Sequence, residues 1–495
     1  MIAGCGAEPV APAAKPTPAT AVEAALPVPK DSCPSWATLD AKSLPALPAT
    51  PHTATFEQVW RTVLEKHFDP TLGCQDWPAR RIEFGHKLGE ARDAAGAYAT
   101  MNALLDTLKQ SHFKVVPPSG ATPTAASGPA RAPIHVRQIG SEVVVVDPAL
   151  GGVDSGVPRG AVIVAIDDKP VSEITAKVAE NAMRPDEVAF QTMLAVEGAM
   201  HGATGAKRKI SFRDPAKADA EVTREVVCVD PAGELVTIGN LQNVPTTVTH
   251  RLLPGTKVGH LAFNYWMLPM VKRVEAAMAE LRAQGMTGLV LDLRGNPGGV
   301  GAMAIPVARM LLTEAGSLGK LQFREFAQEF NVAANPEAFT GPVIVLVDEG
   351  TASTSEIFAA GLRDLGRVKI YGSRPSAGAA LPSMIEQLTG GAMLQYVVGD
   401  YHSSKGAVAE GDGVKPDVTV PETRADFIAG RDPVLAAATA ALSGAPPLPG
   451  APPLPGAPPL SGAPPLSRAP PLPGAPPPSQ ASQASQASQA SQVKP

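Results

Sequence analysis

Apolar residues recur with a helical period at Phe56, Val59, Trp60, Val63, Leu64 and His67, which predicts an amphipathic helix early in the chain. Tyr98, Met101, Leu104, Leu105 and Leu108 mark a second helical stripe, which runs out at Lys109-Gln110-Ser111-His112. Residues 117–133 are Pro, Ser, Ala, Gly and Thr with few large apolar side chains, and read as a linker. The pattern then changes to short β-like runs. Val143–Val146 and Ala161–Ile166 predict buried strands, separated by the turn at 155–160 and followed by the tight turn Asp167-Asp168-Lys169. A helical stretch is expected from about 172, then strands near 208–213 and 222–228.

From residue 236 the pattern alternates strand and helix. Val258–Phe263, Leu289–Leu293, Val343–Val347 and Val368–Tyr371 are apolar runs of strand length. Between them, helices are predicted around Val271–Leu281, over about 300–313 and over about 353–365. Continuous apolar strands alternating with helices argue for a mainly parallel sheet covered on both faces. GAPPLP-type units repeat from 444 to 477 and SQA units from 478 to 492, a composition that cannot bury a core.

The whole chain has 495 residues, room for two or three domains, and its 44% apolar fraction can fill their cores. The net charge of −5 and the lack of a Lys/Arg cluster speak against nucleic acid as a partner. No apolar run is long enough to span a bilayer. Met1-Ile2-Ala3-Gly4-Cys5 resembles the end of a bacterial lipoprotein signal, in which Cys5 would carry lipid and attach the chain to a membrane. The Ala/Pro/Thr-rich stretch over 6–50 would then be a tether. Cys33 and Cys74 flank the first predicted helix; they either pair in an oxidising compartment or stay free. No Cys/His cluster suggests a metal, and nothing calls for a cofactor.

Two segments carry candidate chemistry. LDLRGNPGG at 291–299 ends a buried strand in a loop whose glycines let backbone N–H groups approach a ligand closely. VLVDEGTASTSEIFAAGL at 345–362 places Ser353 where a buried strand turns into a helix. There the first helical N–H groups and the helix dipole favour a developing oxyanion. Alone, Ser353 and Glu356 also read as an ordinary capping box.

Together these segments resemble the catalytic domain of family S41 serine peptidases, which includes the tail-specific and tricorn core proteases. The resemblance spans roughly 50–425, with FDPTLGCQDW at 68–77 and EGDGVKPDVTVP at 410–421 as further matches. GVPRGAVIVAIDDKPV at 156–171 is similar to the central signature of PDZ domains, which bind peptide ends by strand addition, although their carboxylate-binding loop is not recognisable here. The resemblance implies a multi-domain α/β protein with a crotonase-like catalytic domain at 236–430, an N-terminal helical segment at 51–116 and an inserted PDZ-like β domain at 134–235.

It also implies roles. Ser353 would be the nucleophile, with the N–H groups of Gly298 or Gly299 and of Thr354 as the oxyanion hole. The tail-specific branch uses a lysine base, but the aligned position here is Gly378. The tricorn-like branch uses a serine-preceded histidine and a late glutamate, which Ser111-His112 and Glu410 match. His402 is the alternative base. The expected activity is extracytoplasmic cleavage of peptides or unfolded protein tails through an acyl-enzyme. The alternative is a non-catalytic peptide- or apolar-ligand-binding protein on the same fold. Oligomeric state is not legible.

Overall fold

The computed structural model describes residues 33–118, 130–182, 185–238, 241–406 and 409–444. These residues belong to one unit, Met1–Ala451; the second unit, Pro452–Pro495, lies outside the described residues. So do the expectations about Cys5, about most of the 117–133 linker and about the C-terminal repeats.

The first stripe forms helix α1 (Thr53–Lys66), with Phe56, Val59, Trp60 and Val63 fully buried. Helix α2 (Trp77–Gly89) follows, an element the periodicity did not announce. Its start is written locally: Asp76 accepts from the Ala79 N–H and Pro78 occupies the first turn. The two indoles lock α1 to α2, each Nε1–H donating to the other residue's carbonyl, at 2.9 and 3.1 Å. The second stripe forms α3 (Ala94–Asp106). Cys33 and Cys74 are joined in a disulfide.

After α3 the chain turns through 107–113 into β1 (Lys114–Val116). A single apolar core unites α1, α2 and α3 with Leu381, Leu388, Leu394, Tyr396 and Val397 from much later in the chain.

The middle region holds β2 (His135–Ile139), β3 (Glu142–Asp147), β4 (Val162–Ile166), helices α4 (Val171–Asn181) and α5 (Pro185–Ala199), then β5 (Lys207–Asp214) and β6 (Ala220–Val227). The strands pair antiparallel in the order β6-β5-β4-β3-β2. Val143, Val145, Ile163, Ile210 and Phe212 point into its core. The single helical stretch expected from 172 is in fact the pair α4 and α5.

The last region is the alternating one: β7 (Val248–Leu252), β8 (Val258–Phe263), α6 (Leu268–Ala283), β9 (Gly288–Asp292), α7 (Ala304–Arg309), β10 (Gly316–Phe323), β11 (Ala327–Val332), β12 (Val343–Val347), α8 (Thr354–Asp364), β13 (Val368–Gly372), β14 (Ser383–Gln387), β15 (Met393–Val397), β16 (Gly399–His402), β17 (Val418–Thr419) and α9 (Pro433–Ser443). The main sheet runs β7-β8-β9-β12-β13-β17, parallel except for the edge strand β7.

Every residue of β9 and β12 is buried, as strands covered on both faces must be. Leu291 and Val345 face α6, α7 and α8, while Val290 and Ile344 face α9. The helix expected over 300–313 is shorter, because Gly301–Met303 forms a 3₁₀ turn before α7. Strand β1 pairs antiparallel with β15, Val115 opposite Leu394, and this pairing carries the end of α3 to the last, alternating region.

Candidate active site

Strands β9 and β12 are parallel neighbours, so the loops after Asp292 and after Val347 leave the sheet side by side, where α/β proteins gather their sites. Asp348 joins the two loops. Its Oδ1 accepts the N–H of Gly295 and the N–H of Gly350, both at 2.9 Å. Ser353 ends the second loop with φ 55° and ψ −120°. A serine in that region carries backbone strain of about 1–3 kcal/mol, which the surroundings must hold in place. They do so through its N–H, shared between Ala379 O at 2.8 Å and Glu356 Oε2 at 3.0 Å.

Glu356 is fully buried and takes four donors: Ser353 N and Ala379 N on Oε2, Gly378 N and Ser376 Oγ on Oε1. All four partners donate, so this is the geometry of the carboxylate. Burial nevertheless outweighs them and pushes the carboxyl up to about 7. The capping box legible in the sequence is therefore half of a larger bracket that holds the Ser353 turn against 376–379. Ser355 faces away from this site: it accepts from Trp266 Nε1 at 2.8 Å and donates to Asn296 O.

Gly298 lies against Ser353. A Cβ on Gly298, whose φ is +98°, would stand 2.6 Å from Ser353 Cβ. Its own N–H donates to Asn296 Oδ1 at 3.0 Å. Gly299 and Thr354 are in contact, Thr354 Oγ1 donating to Gly299 O at 2.9 Å. Thr354 is the first residue of α8, where an N–H has no partner within the helix.

His112 lies six residues past the end of α3, with φ 62°. Ser111 Oγ donates to Glu410 Oε2 at 2.9 Å and lies 2.7 Å from His112 Nδ1. The hydroxyl has one proton and gives it to the carboxylate, so it accepts from Nδ1–H. That tautomer leaves Nε2 with its lone pair, the form a general base needs. Glu410 is fixed in turn by the N–H groups of Ser111 and Ala380, both at 2.9 Å. Burial pulls the His112 pKa down to about 4, so the ring is neutral over the ordinary working range.

The preceding Gln110 is held by the buried His67, whose Nε2 lies 2.8 Å from Gln110 Oε1. Among the described residues no hydrogen bond joins Ser353 to His112. Instead Ser111 and His112 line one cavity of about 1030 Å³ together with Pro297, Ala352, Gly378 and Ala379, the neighbours of Ser353. His402 is elsewhere, on β16 opposite Lys320 of β10 and 3.1 Å from Asp400.

Gly378 has φ +69°, and a Cβ there would stand 2.5 Å from Gly411 O. A lysine at that position would be strained and would press its Cβ on the Gly411 carbonyl.

The middle region reaches the same site in a way the sequence did not signal. Arg137 of β2 forms a fork on Glu349, Nε–Oε1 2.9 Å and Nη2–Oε2 2.6 Å, and also bonds Glu422 at 2.6 Å. Glu349 is the residue after Asp348 in the loop that leads to Ser353. Burial opposes its charge, but Arg137 outweighs that and holds the carboxyl below its usual range. Helices α4 and α5 wall the cavity with Ile174, Val178, Phe190 and Leu194. Among the described residues no helix is long and apolar enough to cross a membrane, and no cluster of His, Cys, Asp and Glu is arranged to hold a metal.

A serine held in a strained turn at the edge of a parallel sheet, with a glycine loop against it, makes a candidate nucleophile site, and comparison with known proteins supplies the class of enzyme. The family model described as Peptidase family S41 matches residues 257–420, from β8 to the end of the main sheet. It is 28% identical over 391 residues to the chloroplastic C-terminal processing peptidase of Tetradesmus obliquus, covering 76% of this chain and 79% of that one. It is 25% identical over 394 residues to the carboxyl-terminal-processing protease of Synechocystis sp., covering 77% and 84%.

The fold is similar to that of the photosystem II D1 C-terminal processing protease, with TM-score 0.50 and 23% identity over 77% of this chain and 97% of that one. Mature CPAF is also similar, with TM-score 0.54 and 14% identity over 76% and 94%. The chain is thus a serine peptidase acting on peptide or protein substrates; the binding-protein alternative has no support in these relatives.

Proposed function

We propose that this peptidase is of the lysine-free branch, with Ser353 as nucleophile and His112 as base. The observation that carries the reading is the chain Glu410–Ser111–His112, which opens onto the cavity beside the Ser353 turn. The backbone at Gly378 supports it, since a lysine there would be strained.

In the proposed reaction Ser353 Oγ attacks the scissile carbonyl carbon while His112 Nε2 takes its proton. The imidazolium is stabilised by Glu410 through the Ser111 hydroxyl, and it then protonates the leaving amine. A water repeats the sequence on the ester and releases the acid. The oxyanion would lie against the N–H groups of Thr354 and Gly299. Gly298, the other candidate, would serve by close approach, because its N–H is committed to Asn296.

The core at 236–430 reads as crotonase-like and 134–235 as a PDZ-like insert, with peptides or unfolded tails as substrates. An extracytoplasmic location fits the Cys33–Cys74 disulfide, and lipidation of Cys5 would add an anchor.

The test is turnover of a fluorogenic peptide. Ser353→Ala should abolish it, and His112→Ala should lower kcat on the order of 100-fold or more with the fold intact. Near-normal kcat in His112→Ala, with loss in His402→Ala, would move the base to β16.

A further inference from the structure

The wall of the cavity nearest Ser353 is apolar and comes from two regions. Ala352, Ala377 and Ala379 form a small cluster with 4%, 5% and 9% exposure, and Phe190 of α5 packs against it. All four residues line the cavity. Ala352 directly precedes Ser353, and Ala379 O accepts the Ser353 N–H. These three methyl groups and the Phe190 ring are therefore the apolar surface next to the Ser353 turn that a side chain of an acyl group on Ser353 would meet. No charged residue belongs to this stretch of wall. A polar or charged side chain pressed there would lose its water without gaining a partner.

Three of the four walls cannot give way. The Ala379 N–H is held by Glu356 and its carbonyl by Ser353, and Ala377 N donates to Thr351 O at 2.9 Å. Phe190 is different: it is half-buried on a helix that belongs to the middle region. That helix is nonetheless fixed relative to the nucleophile loop. Glu197 near the end of α5 pairs with Arg131 at 2.7 Å and accepts from Val136 N at 3.3 Å. The next residue along β2 is Arg137, which grips Glu349. The ring is thus held against the alanines by two charged tethers, and its size sets the space that remains.

We infer that Phe190, with Ala352, Ala377 and Ala379, forms the side-chain subsite beside the scissile bond and makes the enzyme select small apolar residues there. The inference rests on Ser353 being the nucleophile. It assigns a specificity-determining residue to the helix hairpin of the middle region, which contributes none of the residues proposed to move protons.

The test is a peptide series varied at the two positions flanking the cleaved bond, with Ala, Val, Leu, Phe, Asp and Lys in turn. It is run on the full chain and on Phe190→Ala, Phe190→Leu and Phe190→Trp. Wild type should favour Ala and Val at one of the two positions and reject Asp and Lys there. Phe190→Ala should raise the Leu-to-Ala ratio of kcat/KM at that position about 10-fold or more, the scale on which apolar pockets discriminate added methylenes. Phe190→Leu should shift it in the same direction by less, and Phe190→Trp should depress Val and Leu relative to Ala.

Fluorophosphonate labelling of Ser353 is measured on the same samples. Normal labelling with ratios within twofold of wild type in all three variants would overturn the subsite while leaving the nucleophile standing. Unchanged labelling and turnover in Ser353→Ala would instead remove the reading on which it rests. If Phe190→Ala fails to fold by its melting curve, the opposite shifts expected of the Leu and Trp variants decide the matter.

Discussion

The turn that carries Ser353 and the turn that carries His112 present the same backbone feature by different means. Both residues sit at positive φ, 55° and 62°, where a side chain is strained. Ser353 is held from within its own sheet. Asp348, Glu356 and the loop at 376–379 surround it with hydrogen bonds to buried carboxylates. His112 is held from outside its own element. Its support is Glu410, 299 positions from Ser111, together with His67 through Gln110 and the pairing of β1 with β15. The Ser353 turn is thus an intrinsic part of the sheet, whereas the proposed base is placed only where two distant segments pack together.

That difference is also the difference in what could be read in advance. The Ser353 turn is contiguous in sequence: a buried strand, small residues and a helix start are all visible within 345–362. Its bracket was half visible as a capping box, because Glu356 lies three positions on. Its bonds to 376–379 depend on a fold-back that no local pattern encodes. Nothing local distinguishes His112 from a helix terminus, and only the family resemblance marked it.

Helix α2 was missed because its signal is a cap and a proline rather than an apolar stripe. Arg137 carried no local signal, because its partners Glu349 and Glu422 lie more than 200 positions away. Phe190 was not singled out by the sequence; the cavity it lines exists only where the middle region meets the 376–379 loop.

The comparison can be broken at several points. The largest effect should follow from Glu356→Ala, which removes the acceptor of four donors and releases the strained turn. Turnover should fall about 1,000-fold, as for loss of an oxyanion donor, and the melting temperature should fall with it. A variant with near wild-type kcat would show that the turn needs no bracket.

Arg137→Met removes the guanidinium that Glu349 and Glu422 share, whose side chains are 1% and 2% exposed, and leaves Glu349 only the longer contact with Arg374 at 3.7 Å. Removing one partner of a buried pair costs about 3–5 kcal/mol, so thermal denaturation should show a large loss, with Glu349→Gln in the Arg137→Met background recovering part of it.

Acid should separate the two turns. The Glu356 carboxyl is raised to about 7, so its proton returns first as pH falls, and one of its four donors must then be released. The His112 pKa is lowered to about 4, so the base stays neutral well below that. The kcat/KM profile should therefore drop through about 7 and again toward about 4, rather than once between 6 and 7 as an unperturbed histidine would give. Glu356→Gln should erase the upper limb only.

For stability the signs are opposite. The raised Glu356 pKa removes stability as pH rises from about 4.5 through about 7, and the lowered His112 pKa removes it as pH falls from about 6.5 to about 4.

Glu410→Gln should have a smaller effect, about 10-fold in kcat with little change in melting, because it weakens orientation and charge support and leaves the base in place. The smallest effect should come from ending the chain at Gly444. Helix α9 runs to Ser443 and buries Val434 and Ala438, so a cut at 440 would remove part of its last turn, while a cut after 444 should change neither melting nor peptide turnover.

The central claim is that Ser353 is activated by His112, which lines the cavity beside the Ser353 turn, although no hydrogen bond joins the two residues. The rate at which a fluorophosphonate adds to the protein measures that activation without requiring a known substrate. Mass spectrometry of the labelled peptide identifies the residue. The account predicts label on Ser353 in wild type, none in Ser353→Ala, and a rate at least 100-fold slower in His112→Ala. Label on another residue, or a His112→Ala rate equal to wild type, would contradict it.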